Sequence, residues 1–212
     1  VYTEPYNDER GRNRVFPPIA DFVKEKLYED QGLHCEVAKL KMDFMTRAQS
    51  LIHGDLHTGS IFINEESTKV FDPEFCFYGP MGYDIGNVIA NMIFAWANGD
   101  AAGAADFCKW VEDVLVDVIN MTKEKMEKYY DEHVTDTMCR NELYKKYYMD
   151  TIIEDTSAVA GLELIRRIVG MANVKDITTI ADEAKRARAE KICITAAIDF
   201  IKNRSDKKCG KC

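Results

Sequence analysis

Two histidines and an aspartate lie close together in the segment from Leu51 to Ile63, which is apolar at both ends. The polar residues are His53, Asp55 and His57. Apolar runs of this kind are typical of buried strands, so the polar side chains between them belong to a loop that a rigid scaffold holds in place. A candidate site therefore begins at this loop.

A second set of carboxylates follows a predicted strand pair. Asp72 and Glu74 come directly after the apolar run that ends at Phe71, and Asp84 lies a little further along the chain. Phosphoryl transfer needs one carboxylate that orients the acceptor hydroxyl and another that holds the magnesium bridging the nucleotide phosphates. The pattern predicts the first role for Asp55 and the second for the carboxylates after the strand pair.

Two periodicities indicate the elements that position these residues. Short β-type runs on both sides of a polar turn at 64–68 predict a small hairpin region, which includes Leu51 and Ile52. Apolar residues at helical spacing predict helices elsewhere. The first two expected helices run from Pro17 to a stop at Gly32 and from Leu33 to about Ser50. Apolar stripes over 88–96 and 107–118 predict two more. Further helices are expected over about 122–133, 137–170 and 179–204. The expected fold class is α+β, mostly helical, with a small β-hairpin insert.

Two details of the helical pattern are specific enough to test. Trp96 and Trp110 lie on the apolar stripes, so both are predicted to be core residues. The segment from Thr179 to Asp182 has the spacing of a capping box, so the last helix is expected to open there.

The composition limits the classes of partner. The chain has 212 residues, 28 Lys plus Arg against 36 Asp plus Glu, and a net charge of −8. This acidic balance argues against a nucleic-acid surface, which needs clustered cations. No apolar run approaches the roughly 20 residues that span a bilayer. We expect small molecules or proteins as partners, with no nucleic acid and no membrane.

The seven cysteines are scattered and odd in number. This usage favours reduced thiols in a cytoplasmic protein. Cys209 and Cys212 form a C-x-x-C spacing, but the motif stands alone at the end of the chain, and we expect no zinc or redox site there.

The motifs resemble a family of small-molecule kinases with a protein-kinase-like fold, the aminoglycoside phosphotransferase and choline kinase group. The triplet from His53 to Asp55 is similar to the catalytic loop of that group, and Asp72 stands where its metal-binding aspartate would be. Within the group, four stretches look like the 5-methylthioribose kinases: HGDLHTGS at 53–60, DPEF at 72–75, YGPMGYDIG at 78–86 and ELIRR at 163–167.

The resemblance implies an ATP-dependent kinase that phosphorylates the 1-hydroxyl of 5-methylthioribose, a step of methionine salvage. It implies that Asp55 is the catalytic residue and contacts the sugar. Asp72 and Glu74 are the implied Mg²⁺ ligands, because hard oxygen donors suit that ion. ATP is the implied co-substrate.

The same resemblance assigns Arg166 and Arg167 to the sugar site. Their planar guanidinium groups carry several N–H donors, which need oxygen-rich partners in an otherwise apolar segment. A ribose ring with the incoming phosphate offers such partners. The alternative is a structural role, in which each arginine pairs with a carboxylate such as Glu163.

The remaining residues of the motif are expected to support the loop. Asp84 resembles the aspartate that braces the catalytic loop of kinases from a following helix, and His53 is expected to be a scaffold residue. Ser60 stands where the broader kinase pattern has Asn, a second metal ligand, and Glu74 is its plausible replacement. His57 stays open between a role in the pocket and that of a satisfied loop group.

The resemblance is to the C-terminal lobe alone, as one domain over 1–212. The chain opens at Val1, and no glycine-rich nucleotide loop or strand lysine precedes the motifs. We expect an N-terminal nucleotide lobe to be a missing partner, the isolated lobe to be inactive, and the family's tendency to form homodimers to apply.

Three alternatives remain open. The first is another small-molecule kinase of the same group. The second takes His53, Asp55 and His57 as a metal-hydrolase cluster, although such sites normally need further ligands and only four histidines are present. The third is a catalytically silent binding lobe, which the presence of Asp72 and Glu74 disfavours.

Overall fold

The computed structural model describes residues 1–207, most of which are helical. The helices are α1 (Ala20–Val23), α2 (Gln31–Thr46), α3 (Gly82–Ala102), α4 (Ala105–His133), α5 (Glu142–Val169), α6 (Lys175–Thr178) and α7 (Glu183–Lys202). The strands are β1 (Ser50–Ile52), β2 (Ile61–Ile63), β3 (Thr68–Val70) and β4 (Phe77–Gly79). The predicted α+β, mostly helical class is confirmed. Cys209 and Cys212 lie outside the described residues.

The strands form two antiparallel pairs. β2 and β3 make the predicted hairpin, with Ile61 opposite Val70, and Asn64 orders its turn by accepting the N–H of Ser67 at 2.7 Å. β1 pairs instead with β4, so that Ile52 faces Phe77. Leu51 and Ile52 are thus in a strand as predicted, but the partner of that strand lies beyond the hairpin.

Helices α3, α5 and α7 form the centre of the molecule. Glycines allow the backbones to approach closely: a Cβ at Gly86 of α3 would lie 2.6 Å from the carbonyl oxygen of Thr156, and one at Gly161 of α5 would lie 2.5 Å from that of Ala197 in α7. The middle of α5 is consequently buried on all sides, and Leu162 is fully buried. This core holds both ends of the candidate site in place.

Several helix boundaries differ from the prediction. Residues 105–133 form one helix instead of two. Gly32 lies in the first turn of α2, where Asp30 caps the helix by accepting the N–H of Leu33 at 2.8 Å. α7 opens at Asp182, which accepts the N–H of Lys185, so the boundary at Thr179 was wrong. In both cases an aspartate next to the apolar run supplies the cap.

The two tryptophans are not both core residues. Trp110 is 56% exposed, so that prediction was wrong. Trp96 packs partly against the core and donates its indole N–H to Glu112 at 2.9 Å. Along α4, only Cys108 and Val111 are buried, because most of that helix lies at the surface.

None of the helices within residues 1–207 is both long and apolar enough to cross a membrane.

Candidate active site

The loop that carries Asp55 begins where β1 ends at the buried Ile52. Asp84, in the first turn of α3, binds the backbone of this loop. Its carboxylate accepts the N–H of His53 at 2.6 Å and the N–H of Gly54 at 3.0 Å. One side chain therefore satisfies two successive backbone donors and holds the residues directly before Asp55.

Gly54 allows the loop to turn against the segment that follows β3. Its φ of +85° lies in the left-handed region, and a Cβ there would lie 2.3 Å from the carbonyl oxygen of Phe75. This close approach brings the loop of Asp55 beside the segment of Asp72 and Glu74. Only glycine fits the position without displacing one of the two segments.

The imidazole of His53 links the same two segments. Its Nε2 lies 2.9 Å from the carbonyl oxygen of Phe71, which can only accept, so Nε2 carries the proton. Its Nδ1 lies 3.4 Å from the backbone nitrogen of Asp55 and accepts that N–H. Both contacts together fit the tautomer that carries its proton on Nε2. Each ring nitrogen is thus engaged within the scaffold of the loop.

Ser60 and His57 close the other end of the loop. Ser60 is 3% exposed, and its N–H donates to the carbonyl oxygen of His57 at 2.9 Å. Its hydroxyl oxygen lies 3.3 Å from Nε2 of the same histidine. The carbonyl oxygen of Ser60 accepts the N–H of Phe71, so this end is also tied to the segment before Asp72.

The three candidate carboxylates differ in exposure. Asp55 is half-buried, whereas Asp72 and Glu74 are exposed. Asp72 has a φ of +66°, a left-handed conformation that a non-glycine residue adopts at some cost and that is common at functional sites. Within residues 1–207, no group of three or more His, Cys, Asp or Glu could hold a metal by itself. The pair Asp72 and Glu74 has the donor chemistry of Mg²⁺, which takes its other ligands from water and phosphate.

The two arginines near the end of α5 share one buried carboxylate. Glu163 is 3% exposed, and it accepts hydrogen bonds from Arg166 Nη1 at 2.9 Å and from Arg167 Nε at 2.6 Å. This pairing is the structural alternative that the sequence left open for the two arginines. It leaves other donors of both guanidinium groups unused by Glu163.

Arg166 also lies within electrostatic reach of Asp55. Burial opposes its charge, but the negative charge of Glu163, with smaller contributions from Tyr83 and Asp55, keeps the pKa of Arg166 above its ordinary value. Burial, and then the charge of Glu163, raise the pKa of Tyr83 to about 12, so its phenol is neutral. Tyr83 is thus within electrostatic range of Glu163, Arg166 and Asp55.

Two of these residues were not singled out as site residues from the sequence. Tyr83 could have been found from its place beside Asp84 in the YDIG stretch. Glu163 was named only as a generic partner, and its spacing of three and four residues from Arg166 and Arg167 was the available signal.

Comparisons with known proteins agree with the motifs. A model of the phosphotransferase enzyme family matches residues 6–115. Methylthioribose kinase 1 of Oryza sativa subsp. japonica is 37% identical over 96% of this chain and 51% of its own length. The methylthioribose kinase of Bacillus pumilus (strain SAFR-032) is 35% identical over 95% of this chain and 50% of its own length.

The methylthioribose kinase of Escherichia coli O45:K1 (strain S88 / ExPEC) is 33% identical over 96% of this chain and 52% of its own length. The chain thus spans about half the length of the curated relatives it matches. The family match covers more than half of the chain and includes the loop of Asp55 and Asp72. It also includes Asp84, whose two hydrogen bonds to the backbone of His53 and Gly54 form a clamp on that loop. The chain belongs to the phosphotransferase enzyme family.

Proposed function

We propose that this chain is the C-terminal lobe of an ATP-dependent kinase that phosphorylates the 1-hydroxyl of 5-methylthioribose. The observation that carries the proposal is the clamp of Asp84 on the backbone directly before Asp55, which presents one carboxylate on a rigid loop beside a second pair at Asp72 and Glu74. The relatives, which are named methylthioribose kinases, support the choice of sugar.

In this proposal Asp55 accepts a hydrogen bond from the attacking hydroxyl and orients it toward the phosphorus atom. Asp72 and Glu74 hold Mg²⁺, which neutralises charge on the phosphates of ATP when it is bound. Arg166 and Arg167 bind the sugar and the incoming phosphate through the donors that Glu163 does not use. Tyr83 supports the arginine pair from the side of the loop.

We propose that the N-terminal nucleotide lobe packs over the hairpin of β2 and β3. Apolar side chains on this side of the molecule face solvent, since Phe62 is 64%, Ile63 75% and Phe75 59% exposed. Phe62 also stacks on Phe71 with ring centroids 4.4 Å apart. The exposed, stacked pair of Phe62 and Phe71 is the kind of apolar surface that an interaction covers, and the relatives are about twice as long as this chain.

Two further parts of the proposal concern the cellular location and the oligomeric state of the enzyme. The described cysteines are free thiols, namely Cys35, Cys76, Cys108, Cys139 and Cys193, and this supports a cytoplasmic location. A homodimer remains an expectation from the family.

The alternatives fit the site less well. Another sugar or alcohol acceptor would use the same carboxylates and would differ only near Arg166 and Arg167. The hydrolase cluster needs His53 as a ligand, but both of its ring nitrogens are engaged by Phe71 and by the backbone of Asp55.

The proposal is tested in the longer protein with ATP, 5-methylthioribose and Mg²⁺, with phosphorus NMR to locate the new phosphate on carbon 1. Asp55→Asn is expected to lower kcat about a hundredfold or more, with the KM for the sugar nearly unchanged. Asp72→Asn is expected to raise the Mg²⁺ concentration needed for activity. Asp113→Asn, an exposed residue that pairs with Lys109 on α4, is the control.

If Asp55→Asn weakened sugar binding and left kcat intact, Asp55 would be a binding residue and the assignment would be wrong. Phosphorylation of a different acceptor in preference to 5-methylthioribose would favour the first alternative.

A further inference from the structure

A cleft of about 630 Å³ lies between the end of α4, the turn over 134–141 and the start of α5. Its volume is typical of small-molecule sites, which measure roughly 300–1,000 Å³. It contains none of the residues proposed for phosphoryl transfer. The cleft is therefore a separate feature that the proposed function does not explain.

Tyrosine rings form much of its wall. The ring centroids of Tyr130 and Tyr148 are 5.7 Å apart, and those of Tyr144 and Tyr148 are 6.2 Å apart. Tyr129 adds a fourth ring from the same turn of α4 as Tyr130. Burial raises the pKa of Tyr130, Tyr144 and Tyr148 above the ordinary value, so these phenols are neutral. The faces of such rings carry partial negative charge.

Methionine side chains form a second part of the wall. Met81, Met126 and Met149 line the cleft, and the hydroxyl of Tyr148 lies 3.8 Å from the sulfur of Met81. Thioethers are soft and polarisable, and they pack well against methyl groups. This wall suits a ligand with an alkyl surface.

One carboxylate lies at the cleft. Asp136 lies at its edge, where it accepts the N–H groups of Met138 at 2.8 Å and Cys139 at 3.2 Å. Among the described residues that line the cleft there is no lysine or arginine. Lys145 of α5 is held by Asp131 at 2.6 Å. The guanidinium of Arg140 is engaged by the carbonyl oxygen of Val134 at 3.3 Å, so a cation in the cleft would meet the carboxylate of Asp136 and the tyrosine rings beside a cation that already has a partner.

We infer that this cleft binds an alkylated organic cation, namely a quaternary ammonium or sulfonium group carried on a small molecule. Such groups are attracted to aromatic faces within about 6 Å of the ring centre, and they need no hydrogen-bond acceptors. A primary ammonium would lose hydration that the methionine and tyrosine walls do not replace. An anion would be repelled by Asp136. The inference does not depend on the proposed kinase activity.

The test uses the full 212-residue chain and tetramethylammonium chloride as the probe, followed by NMR of the methionine methyl and tyrosine ring signals. tert-Butanol, which is similar in shape but neutral, is the matched probe, and sodium chloride controls for ionic strength. We expect saturable shifts of the cleft signals with a dissociation constant of about 1–10 mM, which is reasonable for so small a ligand. We expect tert-butanol to bind at least about fivefold more weakly.

Three variants separate the aromatic contribution from packing. Tyr144→Leu keeps a bulky apolar group and is expected to weaken binding of tetramethylammonium about fivefold or more, whereas Tyr144→Phe is expected to stay within about twofold. Phe107→Leu also replaces an aromatic ring by leucine, at an exposed position of α4 outside the cleft, and is expected to have no effect.

Asp136→Asn serves as an independent variant that does not depend on the fold around Tyr144. Its amide oxygen can still accept the two N–H groups of the turn, so we expect a loss of cation binding of about threefold with tert-butanol binding unchanged. Absence of saturable shifts in the wild-type chain, equal binding of the two probes, or equal effects of Tyr144→Leu and Phe107→Leu would each overturn the inference.

Discussion

Asp84 holds the backbone of the loop that carries Asp55, although it is distant from that loop in the chain. Its two carboxylate oxygens each accept one backbone N–H, from His53 and from Gly54. A carboxylate can do this with both oxygens at once, and hydrogen bonds to a charged acceptor are stronger than neutral ones. Asp55 is thus positioned by a residue that need not contact the substrate.

We expect Asp84→Asn to loosen this loop. The amide has one oxygen and one NH₂ group, so one of the two backbone N–H groups would face a donor, at a cost of about 1–3 kcal/mol. Hydrogen exchange at the amides of His53 and Gly54 should become faster. Asp100→Asn, which alters an ion pair with Arg188 outside the site, should leave these two amides unchanged. Equal protection in Asp84→Asn and the wild type would contradict the clamp.

Glu163 has a positioning role on α5 like that of Asp84 on α3, because its carboxylate orients the guanidinium groups of Arg166 and Arg167. We expect Glu163→Gln to raise the KM for the sugar in the longer protein about tenfold, with kcat changed less. We also expect the free energy of unfolding to fall by about 1–3 kcal/mol, less than for a fully buried pair, because the arginine side chains are 28% and 22% exposed.

Glu36 is a suitable control for that experiment, since it also holds two cations, Lys39 at 2.6 Å and Arg204 at 2.8 Å, away from the site. Glu36→Gln should reduce stability and leave the sugar KM unchanged. If both variants affected only stability, Glu163 would have a structural role alone.

At the scale of the elements, the packing of α3 on α5 connects the two parts of the candidate site. α3 begins with the segment that carries Asp84, and α5 ends with the arginine pair. The close approach at Gly82 and Gly86 sets the distance between these helices. A small displacement of α3 would therefore move the clamp relative to the arginines.

We expect Gly86→Ala to destabilise the protein by about 1–3 kcal/mol, because the new methyl group would meet the backbone of Thr156 and Ala160 and force the helices apart. Alanine favours a helix by about 1 kcal/mol over glycine, so the steric cost must exceed that gain. Urea unfolding gives the free energies. Gly32→Ala, where the methyl group meets only the side-chain ends of Asp30 and Lys202, should be neutral or slightly stabilising.

At the scale of the whole molecule, the candidate site is open on the side of the hairpin. Phe62, Ile63 and Phe75 are exposed there, next to the exposed carboxylates Asp72 and Glu74. Phosphoryl transfer depends largely on the positioning of the phosphates. Under the proposed function, the chain described here would hold the carboxylates without most of the groups that position ATP.

We therefore expect the 212-residue chain alone to have negligible turnover with ATP and 5-methylthioribose, at least about a thousandfold below that of the longer protein. A coupled assay of ADP release measures the turnover of the chain and that of the longer protein. Addition of the separate N-terminal half should restore part of the activity if it docks on the hairpin. Robust turnover by the chain alone would show that the lobe boundary is misplaced.

Local features of this protein could be predicted from the sequence by itself. The β2–β3 hairpin follows from two apolar runs around an asparagine turn, and the helical character of most of the chain follows from apolar spacing. The motif of Asp55 and Asp72 also pointed to the family that the comparison with residues 6–115 then identified. Such features depend on residues that are near one another in the chain, so their pattern is visible without coordinates.

Features that join distant segments were decided by the tertiary structure. The pairing of β1 with β4, the reach of Asp84 to His53 and the exposure of Trp110 each depend on which surfaces meet after the chain has folded. An apolar stripe on α4 shows that one face is apolar, but only the packing of neighbouring helices decides how much of it is covered. Likewise, helical spacing places Glu163 near the arginines, but burial of its carboxylate between α5 and its neighbours makes it their common partner.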